Sequence, residues 1–344
     1  MNSQPVWLAL PEPVVAVIES AIVTEFATVS AHGVPIDTPT FAFASRDSSH
    51  IDIATGLAYP AKAERARRNA RVGLLIEGMP GEPVVSIAAI AAVRDASIQA
   101  NAERYISETI AYYHSYSNGN PWSVGRQSVH YWSRIFVECT PRRICWWPDA
   151  SAMDAAPRRW DAPADAIFPG SDAAPRAPAS APPQWPAQDW RERAAAMAAS
   201  GISAHLTCLD ADGFPLPVRA RSVKFVEQGF EFDLPRGLPW PVAGAATLTF
   251  VGLATFVGQT SRSRFVIERM LPTLPMVQDP AEIWNPSEHT RTALTGRLTQ
   301  ELARRGQPTP LIPDTAPPPT AGSLRRAARM AQLAAAMDPA LAAQ

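Results

Sequence analysis

The residues whose types and spacing could bind a small anion lie between positions 51 and 72. A predicted strand, 50–55, ends in Thr55, and a short loop leads to a predicted helix, 61–69, whose first turn carries Lys62. A threonine hydroxyl, the free N–H groups of a helix start and an ammonium group are the donors that a phosphate monoester prefers. Lysine occurs only at positions 62 and 224 among 31 basic residues, so Lys62 is informative.

The same helix also fits a simpler interpretation, a basic face that is only solvated. This face would be formed by Lys62, Arg65, Arg67 and Arg68. The spacing alone does not decide between a phosphate site and a solvated surface.

A second pair of cations lies in the other half of the chain. Arg219 and Arg221 fall on one face of a predicted strand because side chains alternate along a strand, and together they could face an anionic ligand. An exposed basic strand face is the alternative. The sequence contains no HxxxH, GxSxG or P-loop pattern, so we assign no catalytic residue and predict no metal site.

The pattern around these residues predicts a mostly β (α+β) protein built from an internal duplication. Residues 27–35, 50–54 and 72–78 are echoed in the same order by 207–215, 229–233 and 246–252. Each echo is a short apolar run next to turn residues, which is typical of strands. We therefore predict two tandem split β-barrels with peripheral helices. Near the end of the first copy, Thr140-Pro141 predicts a turn between two strands.

The 35 prolines of the 344 residues divide the chain further. We predict a first barrel over 1–148, a Pro/Ala-rich linker over 149–190, a second barrel with a C-terminal helix over 191–306 and a Pro/Ala-rich tail over 307–344. The linker has the composition of a semi-rigid spacer that forms no core of its own.

Charge and cysteine content exclude several classes of protein. A net charge of −1 gives no electrostatic reason to expect a nucleic acid or an anionic membrane as partner, and the apolar runs are too short to span a bilayer. Three scattered cysteines form neither a disulfide framework nor a metal motif. We expect a cytoplasmic protein with a small-molecule substrate.

The order of these motifs resembles the pyridoxamine 5'-phosphate oxidase-like FMN-binding split-barrel family. The likeness rests on Ala27-Thr-Val and Gly33-Val-Pro35, on Thr38-Pro-Thr-Phe41, and on the run from Ile51 through Thr55 and Lys62 to Val72. It covers residues 10–148, and more faintly 200–275, where the helix and its lysine are missing.

The resemblance implies an FMN site in a groove at the interface of two barrels. Thr55, Lys62 and Arg65 would hold the phosphate, and Pro39, Thr40 and Phe41 would approach the flavin ring. The tandem copies would imitate the family dimer, so that the second copy, with Arg219 and Arg221, walls the groove. Ala61 departs from the family, which often has a hydroxyl there. The alternative cofactors are a deazaflavin and haem. For haem, the candidate ligands are His114, His130 and His289.

The function that the resemblance implies is an FMN-dependent oxidoreductase acting on a small molecule. The alternative is a non-catalytic flavin- or haem-binding protein on the same scaffold. The assembly would be a monomeric pseudo-dimer or a homodimer.

Overall fold

The computed structural model describes residues 9–45, 47–117, 119–178, 189–250, 253–272, 284 and 286–337. Strands dominate it, and helices lie at the periphery. The helices are α1 (Glu12–Ser20), α2 (Ala61–Arg68), α3 (Ile98–Thr109), α4 (Tyr113–Tyr116), α5 (Trp122–Gly125), α6 (Val129–Trp132), α7 (Trp190–Ala199), α8 (Glu288–Arg305) and α9 (Ala321–Met337). Within the described part of the chain, no helix is both long and apolar enough to cross a membrane.

The first sheet closes on itself into a barrel of six antiparallel strands. Its neighbours run in the order β3-β2-β1-β4-β5-β6, and β6 pairs back onto β3. A seventh strand extends β6 on its outer side. The strands are β1 (Val23–Val29), β2 (Pro35–Ala44), β3 (Ile51–Gly56), β4 (Arg71–Glu77), β5 (Val84–Arg94), β6 (Arg134–Trp147) and β7 (Arg158–Asp161).

The second sheet repeats this cyclic order. Its neighbours run β10-β11-β14-β13-β12-β8-β9, and only residues 220–221 separate β9 from β10, so these two are halves of one bent strand that closes the barrel. The predicted duplication and fold class are therefore confirmed. The strands are β8 (Ala204–Leu209), β9 (Pro215–Arg219), β10 (Ser222–Val226), β11 (Gly229–Asp233), β12 (Ala243–Phe250), β13 (Ala254–Ser261) and β14 (Arg264–Met270).

The first hairpin of each barrel fixes the correspondence between the copies. Gly33 and Gly213 both have positive φ, 75° and 80°, a conformation that glycine adopts without steric cost. Pro35 and Pro215 then open β2 and β9. Positions in these hairpin strands are thus equivalent at an offset of 180 residues.

The two barrels pack as a pseudo-two-fold dimer within one chain. The contact is formed by β1, β2 and β4 of the first barrel and by β8, β9 and β12 of the second. β4 lies against β9, and β12 lies against β2. These two contacts are equivalent, because exchanging the two copies converts one into the other. The approach is close, because a Cβ atom on Gly73 would overlap the carbonyl oxygen of Pro215. Leu75 and Val84 of the first barrel belong to the same apolar core as the second barrel.

Other segments lie on the first barrel. Leu298 and Leu302 of α8 enter its core, and α9 packs on α1 and α3. The segment predicted as a spacer also packs there: β7 joins the sheet, and the Asp172 carboxylate accepts hydrogen bonds from the backbone N–H groups of Asp95 and Ala96.

The predicted turn at Thr140-Pro141 is not present, because β6 runs unbroken from Arg134 to Trp147. The register between β5 and β6 shifts beside Pro141 instead. Proline lacks an N–H group to donate to the ladder, so a local irregularity accommodates it without ending the strand.

Candidate functional site

The start of α2 places the Lys62 side chain beside β2. No side chain caps this helix at Pro60, so the N–H groups of its first turn receive no side-chain partner. The Lys62 ammonium donates a hydrogen bond to the carbonyl oxygen of Pro39 at 3.1 Å. Thr55 lies buried at the end of β3. Thr55, Lys62 and Pro39, all predicted site residues, thus lie on neighbouring elements.

Positive charge is concentrated around Lys62. Burial, reinforced by the neighbouring Arg65, lowers the pKa of Lys62 to about 8. Burial and then Arg68 lower the pKa of Arg65 to about 10. The Arg65 Nε donates to the Thr28 hydroxyl at 2.7 Å, and no carboxylate pairs with Arg65 among the described contacts.

Arg134, at the start of β6, is a site residue that the sequence did not single out. Its positive charge also lowers the pKa of Lys62. Its guanidinium lies 4.2 and 4.3 Å from the ring centres of Tyr105 and Tyr131, and its buried Nε has no hydrogen-bond partner. Its position at the start of the barrel-closing strand was the only signal available. The group of Lys62, Arg65 and Arg134 is called the cation cluster below.

Aromatic side chains cover β2 next to the cation cluster. The Phe41 ring lies 5.7–6.2 Å from those of Tyr105, Tyr112 and Tyr116, whereas the Thr40 hydroxyl is used internally and donates to the Ala54 carbonyl at 2.7 Å. The hydroxyls of Tyr112 and Tyr116 are buried and lack a hydrogen-bond partner. Burial is the main cause of their raised pKa values, so both hydroxyls are neutral donors at ordinary pH.

Two buried acids lie behind the cation cluster, where the barrels meet. Burial, and then the nearby Asp37, raise the pKa of Glu25 to about 10. Burial also raises the pKa of Asp37, against opposing effects led by His205. Neither Asp37 oxygen receives a hydrogen bond of normal geometry. Their burial depends on the packing of the second barrel, including His205, and no local motif marks them, so sequence reasoning missed them.

Arg219 and Arg221 lie in a different place from the cation cluster. They line a cavity of about 400 Å³ to which Glu77 of the first barrel also contributes. Arg219 lies 3.7 Å from Glu77, and Arg221 forms an ion pair with Asp154 at 2.9 Å. By the offset of 180, these arginines are the equivalents of Pro39 and Phe41.

The histidines differ sharply in their surroundings. His114 and His289 are exposed, whereas the Nε2 of His130 is buried without a partner. Burial, and then Arg134 and Arg291, lower the pKa of His130 to about 4, so its ring is neutral. Among the residues that the structure describes, no three His, Cys, Asp or Glu side chains gather as a metal site.

Comparison with known proteins yields structural neighbours only. No family model and no curated protein matches the chain. A general stress protein 26 from Bacillus anthracis matches at 13% identity over 44% of this chain and 96% of its own, with a TM-score of 0.30. A pyridoxamine 5'-phosphate oxidase-related, FMN binding protein from Nostoc punctiforme matches at 14% over 42% and 86%, with a TM-score of 0.31.

A third solved structure comes from Clostridium acetobutylicum and is described as a relative of general stress protein 26 in the pyridoxinephosphate oxidase family. It matches at 11% identity over 43% of this chain and 91% of its own, with a TM-score of 0.31. Each neighbour thus corresponds to under half of the chain. The chain is a tandem split barrel. This fold follows from its own strand order, in which six strands close in the same cyclic arrangement twice.

Proposed function

We propose that the first barrel binds FMN non-covalently and that the protein is a flavin-dependent oxidoreductase acting on a small molecule. The observation that carries the proposal is the cation cluster. Lys62, Arg65 and Arg134 lie near one another, burial already lowers the pKa of the first two, and the Arg134 Nε lacks a partner. A phosphate group supplies the compensating charge and acceptor oxygens that such a cluster lacks.

The residues present fit this group. Lys62 and Arg65 would donate to the phosphate, together with the Thr55 hydroxyl and the uncapped first turn of α2. Since the pKa of Lys62 is about 8, its ammonium is mostly charged at neutral pH, and a bound dianion would stabilise that charge further. Ala61 contributes only its backbone N–H, so the side chains of Lys62 and Arg65 would provide most of the charge.

The ring would lie along β2. Pro39, Thr40 and Phe41 are partly exposed residues of this strand, and aromatic side chains continue the surface beyond Phe41. The flavin itself would supply hydride chemistry, while the protein binds, orients and shields it.

Binding without turnover is the second candidate function, with a flavin, a deazaflavin or haem. One observation favours haem: the imidazole of His130 is neutral, and its buried Nε2 has no hydrogen-bond partner. Neutral imidazole is the form in which histidine binds iron. His114 and His289 are exposed and offer no comparable environment.

The spectrum of the purified protein tests these proposals. Bound FMN gives an absorption band at about 450 nm and is released on denaturation, a deazaflavin absorbs at shorter wavelength, and haem gives a Soret band. Protein that stays colourless after incubation with FMN would contradict flavin binding. Anaerobic bleaching of the flavin by a reduced nicotinamide nucleotide would favour an oxidoreductase, and a bound flavin that no such donor reduces would favour the binding protein.

A further inference from the structure

The pseudo-two-fold arrangement creates a second groove that is equivalent to the proposed flavin groove. In the second groove, Arg219 takes the position of Pro39, and Arg221 takes the position of Phe41. The segment between β11 and β12 has no helix and no lysine, whereas α2 follows β3 in the first copy. The second groove therefore lacks the phosphate-binding elements proposed for the first and carries a different set of side chains.

The second groove contains a cavity built by both barrels. Its volume of about 400 Å³ lies within the ~300–1,000 Å³ range of small-molecule pockets. Glu77 at the end of β4 contributes one side, and the chain leading into β8 contributes another. One wall is apolar and is formed by Met153, Ile202 and Phe250.

Arg219 is the more available of the two cations in this cavity, because its ion pair with Glu77 is long and is not a hydrogen bond. Its side chain is 51% exposed, and its nearest carboxylate oxygen, on Glu77, is 3.7 Å away, beyond hydrogen-bond distance. No hydrogen bond to its guanidinium occurs within the described ranges, so all five donors remain available. The same oxygen of the Glu77 carboxylate lies closer to the Nε2 of His205, at 3.2 Å.

Arg221 has a supporting position. Both of its terminal nitrogens contact the carboxylate of Asp154, at 2.9 and 3.0 Å, which holds the guanidinium at the cavity wall. A paired arginine still contributes a positive field and unused N–H donors. The cavity thus has a loosely paired cation, Arg219, a tightly paired cation, Arg221, and an apolar wall.

We propose that the second groove binds a small organic anion, a molecule with one carboxylate or phosphate group on an apolar body. Arg219 binds the anionic group, Arg221 adds a second positive charge, and the body lies against Met153, Ile202 and Phe250. The two copies would then have diverged into two sites of different specificity. This inference does not depend on the flavin proposal.

Calorimetric titration with three aromatic probes tests the inference. Benzoate and phenyl phosphate carry the two kinds of anionic group, and benzamide is the uncharged control. At least one anion should bind to the wild-type protein, more tightly than benzamide, and the tighter anion identifies the preferred group. Arg219→Ala should weaken that anion by about tenfold or more, as expected for a lost hydrogen bond between charged groups.

Arg269→Ala is the matched control, because Arg269 is an exposed arginine on β14 of the same barrel. Arg219→Gln retains hydrogen bonding without charge and gives a second test if the alanine variant folds poorly. Absence of binding by both anions, equal binding of benzamide, or equal affinity of the Arg219 and Arg269 variants would overturn the inference. Loss of flavin caused by Arg219→Ala would also overturn it, because Arg219 would then belong to the first site.

Discussion

Glu25 and His205 are equivalent positions of the two barrels, and they contact each other, with the Glu25 Oε1 3.6 Å from the His205 Nδ1. In a symmetric homodimer, a residue on the two-fold axis meets its own copy. Here an acid meets an imidazole instead. Gene duplication within one chain permits this complementary pair. In a dimer of identical subunits, the same position would place two acids or two histidines together.

The buried acid of this pair should make the stability depend on pH. Because the pKa of Glu25 is about 10 in the folded protein and 4.5 in the unfolded chain, the folded protein keeps a proton that the unfolded chain releases. The stabilisation is complete below the unfolded value and declines as the pH rises toward 10. Glu25→Gln should therefore reduce the loss of stability between about pH 5.5 and about pH 7.5, by at most about 1.4 kcal/mol per pH unit.

Urea unfolding at both pH values measures this slope. Lys62, with a folded pKa of about 8, is mostly protonated in the folded protein over this range and adds little to the slope. Glu227→Gln is the control, since Glu227 is exposed in a turn. A slope that is the same in the wild-type protein and in both variants would show that Glu25 is ionised when folded.

Lys62→Ala should weaken FMN binding by about 1–3 kcal/mol, because a buried charge-assisted hydrogen bond to the phosphate is lost. Lys224→Ala removes the only other lysine, which is exposed on β10, and should leave the affinity unchanged. Fluorescence titration of the apo-protein with FMN measures both. Equal affinities in the two variants would place the phosphate elsewhere.

Gly73→Ala should destabilise the protein by about 2 kcal/mol or more, because the new methyl group would overlap the Pro215 carbonyl in the contact between β4 and β9. Gly296→Ala is the control: nothing lies near that site on α8, and alanine there should stabilise by about 0.5–1 kcal/mol. Urea midpoints compare the two. A Gly73 variant as stable as the wild type would contradict close packing of the barrels.

Arg326→Ala should cost about 3 kcal/mol, because it leaves the carboxylate of Glu108 without its buried partner. The guanidinium also lies 4.6 Å from the centre of the Phe43 ring, so the variant loses a second contact between α9 and the first barrel. The neighbouring Arg325 is half exposed and lies 3.9 Å from Glu19, and its alanine variant should change stability little. Thermal unfolding of both variants distinguishes a docked α9 from a dispensable one.

Local pattern predicted much of the architecture. Apolar alternation and turn residues indicated the strands, and the repeated hairpins at Gly33 and Gly213 indicated the duplication, because backbone hydrogen bonding and positive φ are fixed by nearby residues. The lysine at position 62 was identified in the same way. The prediction of a turn at Pro141 was wrong, because the pairing of β6 with β5 outweighs the local preference of proline for a turn.

The sequence by itself determined the strand pattern, the two copies and the candidate phosphate ligands Thr55 and Lys62. Only the tertiary structure brought Arg134 to Lys62, joined Glu25 to His205 and placed Arg219 in a groove of its own. The physical reason is that these pairings depend on how two closed sheets pack against each other. Packing buries side chains that are far apart in the chain, and no local periodicity encodes which of them meet.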